Sequence, residues 1–166
     1  MDKILISACL LGQPVRYDGR AKPQHSAILA RWRREGRLVA VCPELQAGLA
    51  TPRAAAEIQG GGGLAVLDGA ARVVTIDGVD VTSAFLHGAR LALDLCRAHD
   101  VRYALLTEAS PSCGSGEIHD GRFAGRRVAG AGVTSALLAR HGVRVFSHHQ
   151  IASLAEVLAA GERARA

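Results

Sequence analysis

The chain has 166 residues, 49% of them hydrophobic but only 4% aromatic, with 19 glycines, four cysteines and a net charge of +5. That length suits one domain with a sizeable core, built from Ala, Val, Leu and Ile in the manner of helices packed on a parallel sheet. No apolar run approaches a membrane span and the stretch after Met1-Asp2-Lys3 is too short for a secretory signal, so a cytoplasmic protein is expected, its cysteines free, metal-binding or catalytic rather than disulfide-paired.

Lys3 to Ala8 is a nearly continuous apolar run, the form of a central parallel strand covered on both faces, with Cys9 at its end. Gly12, Pro14 and the Asp18-Gly19 pair make the following stretch a structured loop. Ser26 to Glu35 reads as a helix with Ile28, Leu29 and Trp32 inward, arginines on a solvated face and Gly36 as its stop. Leu38 to Val41 is the second buried strand, followed by Cys42, Pro43 and Glu44. The run Gly60 to Gly63 reads as a flexible joint, because no Lys-Ser/Thr follows to make it a phosphate loop. Leu64 to Leu67 and Arg72 to Ile76 are predicted to form a hairpin around Asp68-Gly69.

A long helix opens at Asp80-Val81-Thr82, capped by Asp80 or Thr82, with Phe85, Ala89, Leu93 and Cys96 on its inner stripe. Cys96 is read there as a small buried hydrophobe. Arg102 to Thr107 is the third buried strand. Beyond it comes Ser110-Pro111-Ser112-Cys113-Gly114-Ser115-Gly116, a small-residue loop expected to display its thiol. A second hairpin is predicted from Glu117-Ile118-His119 and Arg122-Phe123 around Asp120-Gly121. A helix from Gly130-Ala131-Gly132-Val133-Thr134 to His141, a strand Val143 to Phe146 and a helix Ile151 to Ala160 complete the chain. The sum is a single α/β domain over residues 1–166, an open, mainly parallel, Rossmann-like or flavodoxin-like sheet with helices on both faces and inserted hairpins.

Cys9, Cys42 and Cys113 each follow a predicted parallel strand at its carboxyl end, the edge where open α/β sheets bind ligands. Three thiols without a nearby fourth suit two chemistries. A four-iron cluster on three thiolates leaves one iron open, a Lewis acid with affinity for sulfur. Zinc on three cysteines plus water, or plus His25, His119, His148 or His149, fits the same spacing.

Ile6-Ser7-Ala8-Cys9-Leu10-Leu11-Gly12, Val15-Arg16-Tyr17-Asp18-Gly19, Cys42-Pro43-Glu44, Thr51-Pro52-Arg53, Asp80-Val81-Thr82, Ser110-Pro111-Ser112-Cys113-Gly114-Ser115 and Gly132-Val133-Thr134 resemble, in order and over nearly the whole chain, the motifs of the DUF523 family, whose characterised members are thiouracil desulfidases. The chain departs from that pattern at Gln46-Ala47-Gly48-Leu49, Thr107-Glu108 and His119. The resemblance implies an oxygen-sensitive [4Fe-4S] cluster on three cysteines with one open iron, and removal of sulfur from a thiolated uracil or its nucleotide to give the oxo base and sulfide without net electron transfer. A sulfur-delivery protein and a zinc hydrolase or structural zinc protein are the competing function classes.

Glu44, beside Cys42, is the expected proton donor or base, or else a partner of Arg53. Ser110 and Ser112 are expected to hydrogen-bond the substrate or a cluster sulfur. The positive charge favours an anionic small molecule over nucleic acid, since the arginines are scattered and stacking platforms few. For a nucleotide 5′-phosphate the candidates are the glycine turn at Gly132 with Thr134, Arg126 and Arg127 close before it, and Arg16 and Arg53 in loops at the same sheet edge.

Overall fold

The computed structural model describes all 166 residues. In chain order the strands are β1 (Ile4–Ser7), β2 (Leu38–Val41), β3 (Ala56–Gln59), β4 (Arg72–Thr75), β5 (Tyr103–Leu106), β6 (Glu117–His119), β7 (Arg127–Ala129) and β8 (Arg144–Ser147). The helices are α1 (Ala27–Arg34), α2 (Pro43–Gln46), α3 (Gly63–Leu67), α4 (Thr82–Ala98), α5 (Val133–Arg140) and α6 (Ile151–Ala164). Strands β1, β2, β5 and β8 form one parallel sheet in the order β2-β1-β5-β8. The expected open parallel sheet is thus observed.

Alternation along the strands divides the core. Ile4, Ile6 and Leu105 face a layer holding Leu29 and Trp32 of α1 and Leu154 and Leu158 of α6. Leu5, Ala104 and Leu106 face the other layer, built from α4, α5 and the β3-β4 pair. Period-two side chains therefore bury both sheet faces, and each large side chain so enclosed contributes about 1.5–3 kcal/mol. The inner stripe of α4 is as expected, with Phe85, Ala89, Leu93 and Cys96 all buried. Asp80 Oδ1 accepts from the Thr82 amide at 2.9 Å, while Thr82 Oγ1 accepts from the Val73 amide and so ties the helix start to β4. In α1 the Ser26 hydroxyl accepts from the Leu29 amide.

Both predicted hairpins differ from the observed ones. Leu64 to Leu67 belongs to α3, and the partner of β4 is β3, four residues that precede the glycine run. Asp68-Gly69 ends that short helix, with Gly69 at φ +80°, a backbone that serves a helix stop as well as a hairpin turn. Likewise β6 pairs with β7, and Arg122-Phe123 lies in the loop between them. Nor is the run Gly60 to Gly63 a joint. The Gly63 amide donates to the Ala131 carbonyl at 2.7 Å, and a Cβ on Gly63 would stand 2.2 Å from the Gly132 oxygen, so the run presses α3 against the entry to α5.

Candidate active site

The chain leaves β1 for β2 on one side and returns to β5 on the other, which puts the reversal of strand order beside β1. At a reversal the flanking loops part and leave a crevice at the carboxyl edge. Cys9 follows β1 in the 3-10 turn Ala8–Leu11, Cys42 caps α2 after β2, and Cys113 lies in the loop after β5. All three line one cavity of about 410 Å³. Cys9 Sγ lies 2.9 Å from Thr107 Oγ1, and the Cys42 thiol faces the Val15 carbonyl at 3.8 Å. Burial pushes all three thiols up from the ordinary cysteine range, and the Glu44 charge adds to this at each. Cys113 is buried at 6% exposure, so the thiol that was expected on display opens inward to the cavity instead. Cys96, on α4 away from these three, has its thiol raised by burial to about 11.

The Cys113 loop is held from three sides. Glu108 Oε1 accepts from the amides of Ala109, Ser115, Gly116 and Glu117 at 2.9–3.2 Å, and Ser115 Oγ donates to Oε2. Burial works against the Glu108 charge, but these amides outweigh it and leave the carboxyl below the usual range. Ser110 Oγ accepts from the amides of Ser112 and Cys113, both at 3.1 Å. The start of α5 supplies the third support. Its Val133 amide donates to the Pro111 carbonyl, and those of Thr134 and Ser135 to the Ser112 carbonyl, at 2.8–3.2 Å.

These contacts correct the expected phosphate seat. The free amides of the α5 terminus are taken by the cysteine loop, and a Cβ on Gly132 would lie 2.5 Å from the Ser112 carbonyl group. Thr134 is wholly buried with its hydroxyl 2.7 Å from that of Ser112, itself 0% exposed. Gly132, Thr134 and Ser112 therefore build the loop from behind and present nothing to a ligand. Arg126 is exposed and does not line the cavity, whereas Arg127 and Arg16 do.

Glu44 lines the cavity and pairs with Arg53. Arg53 also donates to the carbonyls of Ala50 and Val15 and to Thr51 Oγ1 at 3.2 Å. Arg53 thus lines the cavity while its two terminal nitrogens tie Glu44 to the Val15 and Thr51 segments. Segment α2 is itself seated by Gly88, where a Cβ would stand 2.4 Å from the Pro43 carbonyl oxygen.

Sequence reasoning missed Ser7, Thr107, Glu108 and Lys22. Ser7 Oγ accepts from the Thr107 amide at 3.0 Å and braces the floor between Cys9 and Cys113. Lys22 lines the cavity, with its ammonium pKa lowered by burial and by nearby Arg16. Its position in a loop between punctuating residues carried no periodic or motif signal. Of the histidines weighed as zinc ligands, only His119 lines the cavity. His148 is buried, accepts from the Glu108 amide at Nδ1 and is depressed to about 4 by burial and the charge of Lys22.

No three His, Cys, Asp or Glu side chains converge tightly enough to chelate a single ion. Three thiols set apart around one cavity fit a larger, sulfur-loving group, which a four-iron cluster is.

A family model described as 2-thiouracil desulfurase matches residues 4–150. The protein is 43% identical over 150 residues to the "uncharacterized protein YbbK" of Bacillus subtilis (strain 168), covering 89% of this chain and 97% of that one. Among solved structures it is similar to a [4Fe-4S]-dependent thiouracil desulfidase, TudS, with 53% identity and a TM-score of 0.88 over 96% of this chain and 99% of the other.

Proposed function

The chain belongs to the 2-thiouracil desulfurase family, and from that membership together with its cavity we infer that it is a thiouracil desulfidase that works with a [4Fe-4S] cluster. We propose further that Cys9, Cys42 and Cys113 are the only protein ligands of that cluster. The observation that carries this reading is the gathering of these three thiols on one cavity with Glu44 among them. When bound, an iron left without a protein ligand supplies a Lewis acid for the thione sulfur.

The protein's own residues do the rest. Thiouracil and water give uracil and hydrogen sulfide, with no change of oxidation state. Glu44, fixed by Arg53, accepts a proton from the attacking water and returns one to the departing sulfur. Ser110, whose side chain is committed to two loop amides, holds the Cys113 backbone in place for this step. Arg16 and Arg127 line the same cavity and suit a 5′-phosphate on the substrate. One such contact, at about 1.4 kcal/mol, gives a thiouridine monophosphate at least about tenfold higher kcat/KM than free thiouracil. Replacing Arg16 and Arg127 together by alanine should abolish that preference, and equal specificity constants in the native enzyme would remove the phosphate from the reading.

The principal test is anaerobic purification, metal analysis and a visible spectrum, followed by turnover of 2-thiouracil. About four irons per chain, a brown protein and many turnovers of uracil and sulfide are expected. Zinc without iron overturns the cluster, and sulfide release that stops at one equivalent favours a sulfur-delivery protein.

A further inference from the structure

Six aromatic residues are present, and three of them, Tyr17, Phe85 and Phe123, line the active-site cavity. Trp32 and Phe146 lie in the opposite core layer. Phe85 is fixed within α4 and Tyr17 sits at the rim, 44% exposed. Phe123 differs from both in how it is held. It occupies the loop between β6 and β7 at φ +56°, a left-handed backbone that a bulky side chain rarely adopts.

A buried carboxylate maintains that conformation. Glu57 on β3, 8% exposed, accepts from the amides of both Gly121 and Phe123 through Oε1 at 2.9 and 3.2 Å. Gln59, two residues on, donates to the Gly121 carbonyl at 3.0 Å, and the Asp120 amide closes the loop on the Arg126 carbonyl at 3.0 Å. Strain of this kind persists only where the surroundings over-determine it, and it gathers at ligand-binding positions. A glycine would take the same backbone without cost, so the ring is the part of Phe123 that the turn delivers to the cavity.

We propose that Phe123 is the substrate-binding wall of this site, its ring lying against the flat face of the thiolated pyrimidine, and that Glu57 is the positioning residue that sets it there. This rests on the desulfidase reading above. The chemistry is that of a base on an aromatic platform, which tolerates any exocyclic substituent and leaves the C=S edge free to point toward the thiols. Phe85, enclosed on α4, gives the cavity one apolar side, and Phe123, held by Glu57, gives it another.

The test combines steady-state kinetics on 2-thiouracil with equilibrium binding of uracil, the unreactive product, to the cluster-loaded protein. Phe123→Ala and Phe123→Gly are expected to raise KM and the uracil Kd at least about tenfold, the scale of one lost base stack, with kcat little changed. Phe123→Tyr should restore both. The glycine variant should also keep or raise Tm, because it removes the left-handed strain. Glu57→Ala should raise KM with the ring still present. Unchanged KM and uracil Kd in Phe123→Ala, in an enzyme whose native form turns over thiouracil, would overturn the ring assignment alone. A fall in Tm and cluster content that accounts for the whole loss would make the ring a structural plug. If the native protein neither binds uracil nor desulfurates thiouracil, the desulfidase reading and this assignment fall together.

Discussion

Serine in place of Cys9, Cys42 or Cys113 keeps nearly the same shape but offers a hard hydroxyl where a cluster needs soft thiolate. Each of the three variants should emerge colourless and inactive, while Cys96→Ala, which removes a sulfur from the α4 stripe, should keep full iron content and lose only stability. Iron and sulfide analysis of the four variants decides it, and a colourless Cys96→Ala beside a brown Cys42→Ser would sink the ligand set. Glu44→Gln is different in kind, because the amide retains the shape and a hydrogen bond to Arg53 but cannot move a proton. Turnover should drop by about two to four orders of magnitude with the cluster spectrum intact. Normal turnover would remove Glu44 from the chemistry. The gathering of Cys9, Cys42 and Glu44 on one cavity was legible in the sequence because each follows closely on a strand end, whereas Cys113 lies farther along its loop and its burial there depends on Glu108, Ser110 and α5. Lys22 and Thr107 were not legible, since their placement depends on which loops meet above the sheet.

At the scale of elements, one of the three supports of the Cys113 loop is a single carboxylate. Four backbone amides converge on Glu108 Oε1, so Glu108→Ala leaves them without their common acceptor. The loss should cost about 2 kcal/mol or more, and the variant should surrender iron to a chelator faster than the native enzyme. Identical chelation rates would show that the loop holds without it. Gly88→Ala tests the other side of the site, since the added methyl meets the Pro43 carbonyl at 2.4 Å and must push α2, with Cys42 and Glu44, off α4. Strands β1, β2 and β5 were readable as nearly unbroken apolar runs, β8 more weakly because Arg144 interrupts it, and α4 as a long periodic stripe. The hairpins were not. A five-residue helix such as α3 shows no period, and Asp-Gly signals a positive-φ turn without saying whether a helix or a strand precedes it. The α5 terminus misled for a related reason: its sequence advertises free amides, and only the tertiary fold reveals that Pro111 and Ser112 fill them.

Across the whole molecule, the edge of the sheet opposite the cavity is closed by charge. Asp2, 9% exposed, pairs with Arg102 at the start of β5 and with Arg165 beyond α6. Its carbonyl accepts from Arg37 Nε at 2.9 Å, and Arg37, 5% exposed, reaches Glu162 of α6 at 3.0 Å. These pairs fasten the first strand to the last helix. Burial raises the Asp2 carboxyl, but its hydrogen bonds and ion pairs with Arg102 and Arg165 outweigh that and hold it below the usual carboxylate range. A carboxyl whose pKa is lower folded than unfolded contributes stability that is complete above the unfolded value and fades as pH falls through the folded one. Thermal melts of the native protein and of Asp2→Asn should therefore differ most at neutral pH, with the native form the more stable. The gap should begin to close as pH falls to the ordinary aspartate pKa of about 3.9 and vanish below the folded pKa, each kcal/mol appearing as about 2–4 °C in Tm. Because both arginines are about half exposed, part of the gap should also close in high salt. A gap that stays constant down to strongly acid pH would mean that the asparagine acts through packing or the unfolded chain, and that the paired charge on Asp2 is not what ties α6 to the sheet.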